Sequence, residues 1–279
     1  MRQIHLRRFA VGGAAAALAV SGLVITSPAH ADSAPLNYTC EVPILGAQQF
    51  VTTLSAPATV EVGAQPTLNA DVEVPEGLVS SLRDLLGGKS VMGDADAQVI
   101  ANETPATASL KIPKTAVPAS GSLVVKASGK LALPGSAAVG STAALVAGDY
   151  TVNLTVNTDG DPLGPLAVPC TLDEGQDNAI GTVKVVKAGS KSKVTAKGKK
   201  GKAVVKVKVA STTSVKATGK VKVTLKGKKK VTKNVKVNKK GVAKVAVKKL
   251  KKGKYKVTAK YAGDKNVKAS TAKGNVKVK

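Results

Sequence analysis

The strongest constraint on this chain is a period of two in its last third. From Lys220 the sequence runs Lys-Val-Lys-Val-Thr-Leu-Lys226 and breaks at Gly227. It resumes from Val231 to Val237, turns at Asn238-Lys-Lys-Gly241, and continues from Val242 to Val247. After Lys252-Gly253 comes Lys254-Tyr-Lys-Val-Thr-Ala-Lys-Tyr261. Successive side chains of a strand point to opposite faces, so Val, Leu, Ala and Tyr fall on one face and Lys on the other. A disordered basic tail has no reason to keep that period. Several short strands at this spacing predict a β-sandwich of about 85–100 residues.

Charge divides the chain ahead of this alternation. Residues 181–279 carry 34 Lys and a single acid, Asp264, whereas residues 32–180 carry 6 basic and 16 acidic side chains. The shift falls near Asp173-Glu-Gly-Gln-Asp-Asn178, a composition that reads as a linker. The domain boundaries expected are therefore 32–172 for an acidic domain, 173–191 for a linker and 192–279 for a lysine-rich domain.

The acidic part reads as short strands separated by Pro and Gly. Val60-Glu61-Val62, Leu68 to Val74, Ser122 to Lys126 and Tyr150 to Val156 alternate or are rich in β-branched residues. One short helix is expected: Pro75-Glu76 opens it, Leu78, Leu82, Leu85 and Leu86 form an apolar stripe expected to pack in the core, and Gly87-Gly88 ends it. The fold class predicted is all-β, with two β-sandwich domains and one helix in the first.

The N-terminus has the three parts of a secretory leader. Arg2, Arg7 and Arg8 precede an apolar stretch from Ala10 to Ile25, and Ala29-His30-Ala31 offers a small-x-small cleavage site. Residues 1–31 are thus expected to be a signal peptide, and the stretch is too short and too rich in Ala and Gly for a membrane span. Phe9 directly follows Arg7-Arg8 where a twin-arginine pattern wants a spacer, which favours the general export route. No transmembrane segment is expected after processing. In an oxidising compartment the two cysteines, Cys40 and Cys170, allow a single pairing, so a structural disulfide closing the first domain is predicted.

The C-terminal residues also carry a resemblance. Gly253-Lys-Tyr255-Lys-Val257-Thr-Ala259-Lys-Tyr261-Ala-Gly263-Asp264, followed by Ala269-Ser270-Thr271 and a last Val strand, closely resembles the bacterial Ig-like repeat domains of secreted and surface proteins. The resemblance implies a seven-stranded Ig-like sandwich without a disulfide, and it implies no activity. Lys stands here at positions usually Thr, Ser or Asp. The front part, from Tyr38-Thr-Cys40-Glu-Val-Pro43-Ile-Leu-Gly46, resembles an uncharacterised β-rich domain found at the N-terminus of exported actinobacterial proteins.

Catalytic chemistry is excluded largely by subtraction. Both histidines, His5 and His30, lie in the expected leader, so neither a Ser-His-Asp nor a Cys-His site can be built downstream of it. Ser270-Thr-Ala-Lys273 fits Ser-x-x-Lys, a match expected by chance in a segment one-third Lys. Asn157, Asp159 and Asp161 mimic the opening of a calcium loop, but Pro162 replaces the required Gly and no Glu closes it. No enzyme activity, metal, cofactor or small-molecule substrate is expected.

The lysine field is what remains. Lys neutralises phosphates or carboxylates as a point charge, whereas Arg supplies the bidentate forks that read bases. Aromatics are 2% of the chain, too few for a stacking platform. The expected function is a secreted envelope or adhesion protein that binds anionic cell-envelope polymers or acidic glycans by charge density, through Lys220, Lys222, Lys226, Lys254, Lys256 and Lys260. The alternatives are a structural spacer with a solubilising lysine surface and a nonspecific binder of extracellular nucleic acid. The location expected is extracellular, in the medium or retained on the cell wall.

Overall fold

The computed structural model describes residues 30–133 and 137–279. The expected leader, 1–31, lies outside the described residues except for His30 and Ala31. The first domain is built from β1 (His30–Asp32), β2 (Leu36–Val42), β3 (Gly46–Pro57), β4 (Thr59–Glu61), β5 (Thr67–Val74), α1 (Glu76–Asp84), β6 (Ser90–Ala101), β7 (Thr104–Ala116), β8 (Leu123–Leu131), β9 (Thr142–Asn157), β10 (Leu163–Leu172) and β11 (Ala179–Val186). The second contains β12 (Ser190–Lys199), β13 (Lys202–Ser211), β14 (Lys220–Lys226), β15 (Lys230–Lys236), β16 (Val242–Lys248), β17 (Gly253–Tyr261) and β18 (Ser270–Val278).

Among the described residues the architecture is all-β with one helix, as expected. In the first domain the two faces of the sandwich are joined at both edges. The strands run β10-β2-β3-β5-β8-β7-β6-β9, and β9 pairs again with β10, so eight antiparallel strands close into a ring. Alternation supplies the inside: Leu36, Tyr38 and Cys40 of β2, Phe50, Thr52 and Leu54 of β3, and Leu123, Val125 and Ala127 of β8 all point inward and are buried.

The ring closes between its first and last strands, where Tyr38, Thr39 and Cys40 face Leu172, Thr171 and Cys170. Cys40 and Cys170 are directly opposite and joined by a disulfide across 130 residues. The expected bond is therefore present, and it sits on the seam.

Two expectations are corrected. The segment read as a linker, 173–191, is largely built in: β11 pairs with β9 and runs parallel to β4. Its Ile180, Val183 and Val185 are buried in the first core, which compensates the ordering of this segment. The leucine stripe is also split. The helix ends at Asp84, so Leu78 and Leu82 stay half-buried against the ring while Leu85 and Leu86 leave the helical face and are exposed.

The second domain is a seven-stranded sandwich, a sheet β12-β13-β16 facing a sheet β15-β14-β17-β18. Val205, Val207, Val221, Val223, Leu225, Val257 and Ala259 meet between them, each almost fully buried. The two domains join through the segment after β4. Glu61 accepts hydrogen bonds from the Gly189 amide and the Thr212 hydroxyl, Thr213 donates to the Val62 carbonyl, and Val215 packs against Gly63.

Removing the bond by a Cys40→Ser/Cys170→Ser double substitution releases a 130-residue loop in the unfolded chain. The first domain should lose about 2–5 kcal/mol. Calorimetry of the full chain checks this: the transition of the first domain should fall, and that of the lysine-rich domain should stay in place.

Candidate functional site

The six lysines singled out from the sequence are brought onto one surface. β14 and β17 are adjacent and antiparallel, with Lys222 opposite Lys260 and Lys226 opposite Lys256. Lys220 lies opposite Lys236 and Lys226 opposite Lys230 on β15, while Lys254 faces Lys277 on β18. All of these side chains are exposed. Directly opposed residues have Cβ atoms about 4.5–5.5 Å apart, and same-face neighbours along a strand are about 7 Å apart. Both spacings lie inside the Debye length of about 8 Å at physiological salt, so the potentials add.

The local fold explains the arrangement. Burial of one Val contributes about 1.5–3 kcal/mol, while a directly opposed like-charge pair opposes folding by about 0.2–1 kcal/mol. The apolar face therefore wins, and the lysines stack in register because the valines behind them do. Gly227 breaks the sheet beside this face, where a Cβ would meet the Tyr255 ring and the Lys254 carbonyl at 2.7 Å. The result is a shallow depression lined by Lys226, Lys254, Lys256 and Lys277.

No carboxylate answers these charges. Among the described residues every ion pair (Arg83–Asp84, Lys89–Asp159, Lys111–Asp94 and Lys126–Asp71) lies in the first domain. Asp264, the one acid of residues 181–279, is taken up by backbone amides and two hydroxyls. One oxygen accepts from the Thr218 amide and hydroxyl and from the Tyr261 hydroxyl, and the other from the Asn266 and Val267 amides. Burial alone would raise this carboxyl, but the hydrogen bonds from Thr218, Asn266 and Val267 hold it well below the usual carboxylate range. Burial, and then the Asp264 carboxylate, push the Tyr261 phenol up to about 12, so it remains a donor.

The sequence reading missed a second lysine surface. On the other sheet Lys193 faces Lys208, and Lys206 faces Lys244, all exposed. The same alternation, Lys206-Val-Lys208, marks them. Tyr255 and Tyr261 are buried, as their position on the apolar face implies, and offer no stacking surface.

The other motifs dissolve into ordinary structure. Ser270 and Lys273 are three apart on β18 and point to opposite faces, with Ser270 bonded to Ser192. Asp159 pairs with Lys89, and Thr158 closes its turn by accepting from the Gly160 amide and donating to the Asp161 carbonyl.

Comparison with known proteins places both parts. Residues 37–181, more than half of the chain, match a family of unknown function, DUF6801. The chain belongs to the DUF6801 family. Residues 188–279 match the bacterial Ig-like domain, group 3, in agreement with the Gly253–Asp264 resemblance. Among curated proteins none matches the chain significantly. Solved structures that align include a putative membrane-anchored protein from Corynebacterium diphtheriae, 15% identical, covering 90% of this chain and 58% of that one at a TM-score of 0.29. The fibronectin(III)-like modules of CbhA from Clostridium thermocellum align at 14% identity, covering 87% and 94% of the two chains, with a TM-score of 0.27. The chain thus spans less than two thirds of the first of these proteins. The function of the DUF6801 family is unknown, and the lysine face belongs wholly to the Ig-like domain.

Asp264 makes a testable prediction about that domain. Its depressed carboxyl contributes stability that is complete above the unfolded value of about 4 and is lost as the pH falls from there toward the folded value. Thermal melts between pH 6 and pH 2 should show the Ig-like transition falling in this window. Asp264→Asn should flatten that acid limb, and Asp264→Ala, which strands several donors, should cost about 3 kcal/mol at neutral pH.

Proposed function

We propose that this protein is an exported, non-enzymatic surface protein whose Ig-like domain holds anionic envelope polymers by charge density. The observation that carries this reading is lysine opposed to lysine across β14 and β17, with no carboxylate among the described residues paired to them. A surface needed only for solubility mixes both signs and avoids that repulsion. This one keeps it, and a polyanion laid across the sheet would relieve it while displacing several counterions.

Lys suits such a ligand better than Arg does. A hydrated point charge on a flexible stem neutralises repeating phosphates or carboxylates without demanding one geometry. Wall teichoic-type polymers and acidic glycans fit this chemistry, and nucleic acid would be held by the same field without sequence preference. The Cys40–Cys170 disulfide and the Ig-like family both suit an extracellular location.

Binding of the full chain to polyphosphate and to isolated cell walls should weaken steeply with salt, with a log–log slope of several units for polyphosphate. Lys222→Gln alone should lower the slope by less than about one unit, and changing all six lysines should lower it by several. Bound polyphosphate should also raise the melting temperature of the Ig-like domain. Salt-insensitive binding abolished by one substitution, or no retention at about 50 mM salt, would replace this mechanism with the spacer reading.

A further inference from the structure

The lysine face leaves the first domain without a role, and its interior carries an observation of a different kind. A cavity of about 310 Å³ runs inside the eight-stranded ring. Rings of this size are either just filled by their own side chains or hold one small ligand. Here the inward positions Ala70, Ala95, Ala97 and Ala127 are too small to fill the centre. Towards β4 and β11 the interior is plugged by Leu36, Leu68, Leu131 and Leu145, which are buried and lie outside the cavity. At the other end it reaches the surface.

That end is formed by α1 and the turn between β2 and β3, and its apolar residues are unusually exposed. Leu85 is 74% and Ile44 100% exposed, yet both line the same cavity as fully buried Leu110. Ile44 carries a second peculiarity. The Leu45 amide donates to the Val42 carbonyl, closing a turn with Pro43 first and Ile44 second at φ 72°. That position favours Gly or Asn, and a β-branched residue there is strained. A strained, fully exposed isoleucine at the rim of an apolar cavity has no structural benefit, and strain of this kind gathers at functional sites.

The interior also defines what would enter. No charged side chain lines it. Its hydroxyls are already satisfied: Tyr150 is hydrogen-bonded with Thr52, and Tyr38 donates to the Gly148 carbonyl. A polar guest would find no partner, whereas an apolar cavity of this kind stays dry and accepts apolar molecules. The volume lies at the small end of ligand sites, about 300–1,000 Å³, which suits one slender molecule.

We propose that the first domain is a binding site for a single acyl-chain-type molecule, which enters between the Val42–Leu45 turn and α1 and leaves any polar head at the rim. This site is independent of the lysine face. It also departs from the sequence expectation of no small-molecule partner, because alternation reports which residues point inward but not whether they fill the ring.

The test uses the full chain, stripped of bound lipid, with N-phenyl-1-naphthylamine as the probe. That fluorophore is uncharged at neutral pH, so the lysine field does not attract it. Saturable fluorescence, insensitive to salt and displaced by 1-dodecanol, is the expected result. Ala127→Leu, which fills the cavity, should weaken binding at least tenfold while the first domain melts no lower. Ile44→Asn should relieve the strained turn, raise the melting temperature, and weaken binding several-fold. Absence of a saturable, dodecanol-displaceable signal would overturn the proposal. So would Ala127→Leu and Ile44→Asn proteins that fold and bind within twofold of the original.

Discussion

The first domain depends on one pairing, that of β2 with β10. Other neighbours in the ring form hairpins or, like β5 with β8 and β6 with β9, bracket part of the domain, but this pair joins the beginning of the domain to its end. The loop-closure entropy for so distant a contact must be overcome before the contact returns anything. The pairing itself is short, spanning Tyr38–Cys40 and Cys170–Leu172. A covalent bond at its Cys40–Cys170 end removes much of that entropic burden. Thr39 adds a bond to Asp173, and Gln176 spans from the Asp173 carbonyl to both backbone groups of Asn37. With the seam shut, no edge is left on β2 or β10 and the inward residues face only one another. Closure is thus also what creates an interior able to hold a void.

The Ig-like domain solves the opposite problem, holding together a body whose surface repels itself. No disulfide and no ion pair helps it among the described residues. Its cohesion comes from the interleaved valines of the two sheets and from Asp264. That carboxylate ties the approach to β14 at Thr218 to the loop before β18 at Asn266 and Val267, and receives the Tyr261 hydroxyl. A negative charge is tolerated at this point because five donors surround it. Elsewhere in the domain an acid would pair with a lysine and dilute the field.

Legibility in the sequence tracked how local the cause of each feature was. β14 and β17 were readable because strict alternation within seven to nine residues encodes them, and β16 from a looser Val/Ala alternation between turn residues. The helix start at Pro75-Glu76 and the disulfide were readable for similar reasons, a local signal and a count of two. β10 was not, since Pro165 and Pro169 argue against a strand flanked on both sides, yet it pairs with β2 and β9. β11 was hidden by the acidic, Gly-containing stretch before it. Ring closure and the cavity were hidden more deeply, because they depend on which distant strands meet and on the summed volume of Ala70, Ala95, Ala97 and Ala127. Of the lysine surface, the sequence disclosed the face but not the cross-strand register that places Lys222 against Lys260.

The junction between the domains bears on whether these two surfaces can work together. The domains carry opposite net charge, and collapse of acidic onto basic surface would quench the lysine field. The junction avoids this by spending its nearest acid elsewhere. Glu61 is bound by the Gly189 amide and the Thr212 hydroxyl, the contacts beside it are neutral (Thr213 on Val62, Ser214 on Gly63, and Val215 packed between both cores), and Lys187 donates to the Asp264 carbonyl and not to a carboxylate. Gly63 is needed there, since a Cβ would meet Val215 at 2.6 Å. This contact lies beside β4 and β11, at the plugged end of the ring, whereas Ile44 and Leu85 lie at the other. A polymer held on the lysines would therefore leave the apolar rim unobstructed.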